Sequence, residues 1–231
     1  MAFFLCIETS TINCSVALFE NNNLIAIKEI ANGYQHAEWL HTFIQEIIST
    51  HPIEKPDAII VGKGPGSYTG LRIGVAAAKG LCFAWNIPLI AADSLQTLAY
   101  AVLNSVKISE NDLICPLTDA RRMEVYTAFY NSFGERMTAI SAKIISENSF
   151  SEELKNKKIY FVGDATGKCE PILRNKHAKF INSLLPSAKY LINEGLKKYT
   201  AQQFENTAYF EPFYLKEFVS TIAKKTFKIG E

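Results

Sequence analysis

The residues best suited to chemistry form a glycine-rich stretch, Gly-Lys-Gly-Pro-Gly-Ser-Tyr-Thr-Gly-Leu-Arg-Ile-Gly at positions 62–74, between an apolar run and an amphipathic segment. Glycines such as Gly64 and Gly66 let the backbone approach another group closely and reach positive φ. Ser67 or Thr69 can cap the following helix, which leaves N–H groups free at its positive end. This pattern predicts a phosphate-binding loop. It is not a Walker A loop, because no Gly-Lys-Ser/Thr closes it, and a purely structural turn is the alternative.

The elements that must position this loop occur in an order that repeats once. Three strands are followed by alternating helices and strands in each half. The first half has strands at 3–8, 14–20, 23–30, 57–63 and 87–92 and helices at 35–50, 67–85 and 94–106. The second half has strands at 113–118, 122–131, 136–146, 159–163 and 178–181 and helices near 150–155, 165–175 and 187–200.

The repeat predicts a duplicated actin-like (ribonuclease H-like) α/β fold, with two lobes that each hold a mixed sheet flanked by helices. We expect the first lobe at 1–107 and a smaller second lobe at 108–231. The last 31 residues, 201–231, form a tail without a clear assignment, which could pack back on the first lobe.

Two further turns are candidates for the same site. Glu8, Thr9 and Ser10 follow the first strand, and Asp119 and Arg121 lie at the matching turn of the second half. In an actin-like fold both turns face the cleft between the lobes, next to the glycine-rich loop. The alternatives are a simple Ser/Thr-rich turn and an exposed charged hairpin.

The bulk composition is that of an ordinary globular protein. The 231 residues carry a net charge of +1, so the totals predict no strong attraction to nucleic acid or to an anionic membrane. Lysine pairs such as Lys157-Lys158 are interpreted as solvated surface. The five cysteines are widely spaced and lack metal-ligand patterns, which favours reduced core residues. With neither a signal peptide nor a long apolar run, the expectation is a cytoplasmic protein that binds neither membrane nor DNA.

Several motifs together resemble the TsaB (YeaZ) family. They are Ile7-Glu8-Thr9-Ser10, the glycine-rich stretch, Lys79-Gly80-Leu81, the turn at 119–122 and Pro212-Phe213-Tyr214-Leu215-Lys216. The resemblance implies a role in forming N6-threonylcarbamoyladenosine at position 37 of tRNAs that read codons beginning with A. It also implies two partners, the catalytic paralogue TsaD and the ATPase TsaE, with tRNA reached indirectly through the complex.

The resemblance further implies an accessory subunit. The catalytic paralogue has a metal-binding His-x-x-x-His after the strand that follows its Gly-Pro-Gly helix. Ser94 and Leu98 occupy those positions here, and leucine cannot coordinate a metal. We therefore expect no catalytic residues, no metal and no tightly bound cofactor. ATP or ADP is the candidate ligand, held where a partner completes the site.

Two helices are candidate partner surfaces. The helix at 35–50 carries Trp39 and Phe43 on a wide apolar stripe, and the helix at 67–85 carries Gly70, Gly74 and Ala78 at four-residue spacing. The family resemblance favours contact with the paralogue, or with a second copy when the chain is alone. The alternative is that both stripes pack against the protein's own sheet.

Two other functions remain open from the sequence. An ATP-dependent kinase or ATPase of the same fold would need an adenosine pocket in the second lobe, at which only Gly163-Asp164-Ala165 hints. A metallopeptidase is disfavoured by Ser94 and Leu98.

Overall fold

The computed structural model describes residues 1–33, 35–51 and 53–216. In the first lobe, three strands precede alternating helices and strands. They are β1 (Phe3–Glu8), β2 (Cys14–Glu20), β3 (Asn23–Ile30), α1 (His36–Thr50), β4 (Ala58–Gly62), α2 (Tyr68–Trp85), β5 (Leu89–Ala92) and α3 (Ser94–Ser105). The sheet order is β3-β2-β1-β4-β5, with β1 antiparallel to β2 and parallel to β4. These bounds confirm the predicted order of elements in this half.

Side-chain caps fix where the two helices nearest the glycine-rich loop begin. Ser67 precedes α2, and its hydroxyl accepts a hydrogen bond from Gly70 N at 3.3 Å. Asp93 precedes α3 and accepts from Leu95 N at 3.0 Å. Because each cap satisfies one of the free N–H groups of the first turn, it stabilises the start of its helix. Asn86, at φ 51°, ends α2 in the left-handed conformation.

The second lobe has two small sheets, built from β6 (Leu113–Pro116), β7 (Thr118–Asp119), β8 (Glu124–Thr127), β9 (Ser141–Ile144), α4 (Ser151–Asn156), β10 (Ile159–Val162), α5 (Thr166–Cys169), β11 (Ala178–Ile181) and α6 (Ile192–Thr200). The parallel sheet has the order β11-β10-β6 and the antiparallel one the order β7-β8-β9. An isolated bridge pairs Ile114 of β6 with Tyr130, three residues beyond the end of β8. The strands predicted at 122–131 and 136–146 are therefore shorter than expected. The helix predicted at 165–175 is reduced to α5, since Pro171 has no N–H to continue it.

The last helix lies on the first lobe. The predicted helix at 187–200 is divided into a 3-10 turn (Ala188–Tyr190) and α6. Leu191 and Ile192 join a buried cluster with Phe4 and Ile60 of the first-lobe sheet. Glu194 accepts a hydrogen bond from Asp93 N at 2.8 Å. In space, α6 covers the sheet face opposite α1 and α2, although its sequence follows the second lobe.

The tail also returns to the first lobe. Glu205 N donates to Leu89 O at 2.9 Å, and Phe213 N donates to Lys63 O at 2.8 Å. Between them, Lys79 Nζ donates to the carbonyls of Ala208 and Phe210. Positions 217–231 of the predicted tail lie outside the described residues.

The glycine stripe of α2 faces inward. A Cβ on Gly70 would lie 2.2 Å from Thr9 O, and one on Gly74 would lie 2.2 Å from Thr9 Oγ1. Ala78 is fully buried in the core of the first lobe. The prediction that Gly70, Gly74 and Ala78 form an exposed ridge is therefore wrong, because the spacing serves close packing against the end of β1.

The apolar stripe of α1 packs against the same core. Phe43 is buried, and Trp39 is partly buried with its ring 5.6 Å from that of Phe43. Their assignment to a partner surface is likewise contradicted by these contacts within the chain. All five cysteines are buried and unpaired, as the sequence predicts. Within the described residues, no helix is both long and apolar enough to cross a membrane.

Candidate functional site

A cavity of about 630 Å³ lies between the two lobes. The first lobe lines it with Ser10, Gly66, Ser67 and Thr69, and the second lobe with Thr118, Asp119, Arg121 and Asp164. Six of the predicted site residues thus come together from three separate turns, namely Ser10, Gly66, Ser67, Thr69, Asp119 and Arg121. We call this cavity the interlobe cleft.

On the first-lobe side, two turns are locked together by backbone contacts. Ser67 N donates to Ser10 O at 2.7 Å. A Cβ on Gly66 would lie 2.2 Å from the same Ser10 carbonyl, so only glycine fits there. Since α2 begins at the next residues, its N-terminal end points into the interlobe cleft and favours negative charge.

Three predicted phosphate-binding residues lie behind this wall and do not line the cleft. Glu8 is fully buried, and its two oxygens accept from Ser10 N at 2.8 Å and Ser94 Oγ at 2.9 Å. Thr9 Oγ1 donates to Gly70 O at 2.8 Å, and Gly64 N donates to Ser94 Oγ at 3.1 Å. Assigning Glu8, Thr9 and Gly64 to direct ligand contact is therefore wrong. They fix the loops that form the cleft.

Burial dominates the electrostatics of Glu8. Loss of solvation raises the pKa of its carboxyl, and the hydrogen bonds from Ser10 and Ser94 only partly oppose that rise. A Cβ on Gly62 would lie 2.2 Å from Glu8 Oε2, so the end of β4, the strand paired with β1, also needs glycine to make room for this carboxyl.

On the second-lobe side, Asp119 and Asp164 lie close together. Asp119 N donates to Asp164 Oδ1 at 2.9 Å, and Lys168 Nζ forms an ion pair with Asp119. Burial, with a smaller contribution from the Asp119 charge, raises the pKa of Asp164 to about 6. Arg121 follows in the left-handed region at φ 69° and is exposed at the rim.

The neighbouring hydroxyl of Thr118 is buried, and no described residue forms a hydrogen bond with it. A buried hydroxyl without a partner costs free energy unless a ligand or water satisfies it. Thr118 also lines the second-lobe side of the interlobe cleft.

His36 is a cleft residue that the sequence did not identify. It begins α1, is almost fully buried, and lines the interlobe cleft beside the first turn of α2. A Cβ on Gly70 would lie 3.2 Å from its Nε2. Burial lowers the pKa of the imidazole, so His36 favours the neutral form. The spacing of residues along one helix carries no information about a cleft between lobes, so the sequence gives no signal for this position.

The tail closes one side of the cleft, which the sequence also did not predict. Tyr214 packs against Tyr68 with ring centroids 5.0 Å apart and the rings tilted by 40°, and its hydroxyl accepts from Arg72 Nε at 3.1 Å. Two residues further, Lys216 forms an ion pair with Glu124 of the second lobe. The segment 213–216 therefore links the two lobes across the cleft.

The two positions that the family resemblance marks as metal-ligand positions, Ser94 and Leu98, hold no suitable donors. Ser94 Oγ is engaged with Glu8 and Gly64, and Leu98 is fully buried beside Gly163. In the described ranges, no group of three His, Cys, Asp or Glu side chains could hold a metal ion. A hydroxyl and an isobutyl group do not form a site for a divalent transition metal.

Two lobes around a polar cleft define an actin-like α/β protein. A family model described as "TsaD: tRNA N6-adenosine threonylcarbamoyltransferase" matches residues 29–224. The tRNA threonylcarbamoyladenosine biosynthesis protein TsaB of Haemophilus influenzae is 28% identical over 94% of each chain, and that of Bacillus subtilis is 32% identical over 70% of this chain and 71% of the relative. YeaZ from Pseudomonas aeruginosa is similar in structure, with a TM-score of 0.77 and 26% identity over 92% of this chain and 100% of that one. The chain belongs to this family, in its TsaB (YeaZ) branch.

Proposed function

We propose that this chain is an accessory subunit of the machinery that forms N6-threonylcarbamoyladenosine in tRNA. It would support a TsaD-like catalytic paralogue, together with a TsaE-like ATPase. The names of its relatives in Haemophilus influenzae and Bacillus subtilis support a role in this modification of tRNA. The accessory role rests on the contacts of Ser94 and Leu98.

Those contacts explain why the chain would not perform the chemistry itself. Ser94 Oγ bridges Glu8 Oε2 and Gly64 N, at 2.9 and 3.1 Å, where the paralogue has a histidine. Leu98 fills the second ligand position as part of a buried apolar cluster. Both positions are part of the protein core here. Their contacts therefore support a role as a binding partner of the catalytic relative.

The decisive experiment is threonylcarbamoylation of tRNA by the paralogue and the ATPase, with and without this chain. We expect product only, or at least many-fold faster, when the chain is added, and none from the chain alone. Equal rates without the chain would contradict the accessory role. Product formed by the chain alone, and abolished by a chelator, would favour an enzyme with its own metal.

We propose the outer face of α2 as the partner surface. Ala76, Gly80 and Phe83 are exposed there, and Phe83 has 86% of its surface accessible. A Cβ on Gly80 would have nothing within 4 Å, so this glycine is not required for packing within the chain. Small residues beside an exposed aromatic ring permit close approach of another helix, from the paralogue or from a second copy of this chain.

Phe83→Asp should abolish or weaken at least tenfold the binding of the paralogue while leaving the chain folded. The exposed ring contributes little to the core, whereas a buried charge at an interface without a partner is strongly unfavourable. Pull-down and sedimentation measure binding and self-association, and circular dichroism measures folding. Phe133→Asp is the matched control, because Phe133 is also exposed but lies on a second-lobe turn. Equal binding by both variants would exclude the α2 surface.

We also propose that the interlobe cleft binds a phosphate-bearing ligand, with ATP or ADP as the candidate. The N-terminal end of α2, the unsatisfied Thr118 hydroxyl and Arg121 favour such a ligand. The carboxylates of Asp119 and Asp164 oppose it. We therefore expect weak binding by the isolated chain, strengthened where a partner completes the site.

A further inference from the structure

A cluster of cations lies at the end of the second lobe opposite the interlobe cleft. In the parallel sheet β11-β10-β6, the segments preceding neighbouring strands lie side by side. Leu113 N donates to Lys158 O at 2.9 Å, and Ile159 N donates to His177 O at 3.0 Å. Two lysine-containing segments, 157–158 and 176–177, are thereby brought together although they are far apart in sequence.

The end of α4 and the loop before β11 extend this cluster. His177 Nδ1 lies 2.8 Å from Leu154 O, which joins the helix to the loop. A shallow groove of about 500 Å³ runs between them, with Lys155, Arg174 and Lys176 along it. We define the basic edge as Lys155, Lys157, Lys158, Arg174, Lys176 and Lys179.

Most of this positive charge is uncompensated. Lys155 pairs with Glu152 at 2.8 Å. For the other five cations, no ion pair is present among residues 1–33, 35–51 and 53–216. Six of the 24 lysine and arginine residues of the chain belong to this edge, although the chain as a whole has a net charge of only +1. All but Lys158 are exposed, and their side chains can reach a polyanion.

We infer that the basic edge is an interaction surface for the phosphate backbone of an RNA. This inference rests on the proposed function, which supplies tRNA as the RNA within reach of the complex. Flexible cations without carboxylate partners suit a row of phosphates, and they need no base-specific geometry. The four residues of β10 separate this edge from the cleft by about 13 Å, so the two surfaces can act independently.

The test uses the complex assembled on the full chain, with fluorescence anisotropy of labelled tRNA between 50 and 200 mM salt. The variant is Lys157→Gln with Lys176→Gln. The control is Lys189→Gln with Lys197→Gln, which removes the same charge from the other lobe. For two phosphate contacts, we expect affinity at 0.1 M salt to fall by roughly tenfold per contact. The slope of log K against log salt should become shallower by about 1 per contact.

Unchanged affinity and slope in the variant, or no tRNA binding by the complex, would overturn the inference. So would loss of partner binding with unchanged tRNA affinity, since that would assign the basic edge to a protein. Stimulation of tRNA modification by the unmodified chain is measured on the same preparation. If the chain stimulates modification but the salt slope of the variant is unchanged, only the inference about the RNA surface is refuted. If the chain does not stimulate modification, the proposed accessory role is refuted. The salt slope of the variant then still tests the inference about the RNA surface.

Discussion

Gly70→Ala is expected to lower the free energy of unfolding by roughly 2–3 kcal/mol, even though alanine is the better helix former. The new Cβ would lie 2.2 Å from the backbone oxygen of Thr9, a separation that no rotamer change relieves. Either the first turn of α2 or the turn after β1 must move. Both carry residues of the interlobe cleft, so we also expect weaker ligand binding.

Gly80→Ala is the matched control on the same helix. No atom lies within 4 Å of a Cβ at Gly80, so the substitution should stabilise the protein by up to about 1 kcal/mol through helix propensity alone. Urea unfolding of both variants measures the difference directly. A Gly70→Ala protein as stable as the Gly80→Ala protein would contradict the packing described for α2. Gly74→Leu should likewise lower the melting temperature, because its Cβ would meet Thr9 Oγ1.

The sequence predicted which residues of α2 share a face, but not what that face contacts. A four-residue spacing correctly placed Gly70, Gly74 and Ala78 on one face of α2. It could not distinguish the face toward the protein's own β1 turn from the face toward a partner, because close approach demands small residues in both cases. Only the position of Thr9 in three dimensions decides between them.

The sequence predicted which turns come together at the cleft better than it predicted which residues of those turns line it. The fold brings together the turn after β1, the glycine-rich loop and the turn at 119–122 as expected. Within the first turn, however, Ser10 lines the cleft whereas Glu8 points into the core, where Ser94 provides a hydrogen bond. His36 and the segment 213–216 reach the cleft through long-range packing, for which the sequence contains no local signal.

The second half was harder to predict than the first. Its polar and apolar residues allow long strands at 122–131 and 136–146, but pairing is limited to four residues of β8 and of β9. Single bridges at Tyr130 replace the rest of the ladder. Strand length depends on the partner strand as much as on propensity, so a single segment does not reveal it.

Asp164→Asn is expected to strengthen binding of ATP by the isolated chain, because it removes one of two carboxylates that line the interlobe cleft and would repel the phosphate groups. The asparagine oxygen can still accept the hydrogen bond from Asp119 N, so the turn should keep its shape. Calorimetry at pH 7.5 compares the two proteins. If affinity is equal or lower in the variant, the phosphate-bearing ligand does not lie beside Asp164.

The same substitution should raise stability above neutral pH. The folded-state pKa of Asp164 is about 6, above the ordinary value of 3.8. Between these values the folded protein binds the proton that the unfolded chain has released, so the stabilising contribution is complete below the ordinary value and disappears as the pH rises through 6. At pH 8 the charged, buried carboxylate costs on the order of 2–3 kcal/mol, which asparagine removes.

Asp93 provides the control that separates burial from charge pairing. Its pKa is also raised to about 6, chiefly by burial and then by the charge of Glu194. Its carboxylate, however, holds Arg136 at 2.9 Å and caps α3 at Leu95 N. Asp93→Asn loses the ion pair, so it should gain little or become less stable at pH 8. Urea unfolding between pH 5 and pH 8 should show, for both variants, a stability relative to the unmodified protein that increases with pH, because both carboxyls have a pKa of about 6. The curve for Asp93→Asn should be lower throughout, because this variant also loses the bond to Arg136. A variant whose stability runs parallel to that of the unmodified protein over this range would show that Asp164 ionises at its ordinary pKa, and hence that the cleft wall is better solvated than its contacts indicate.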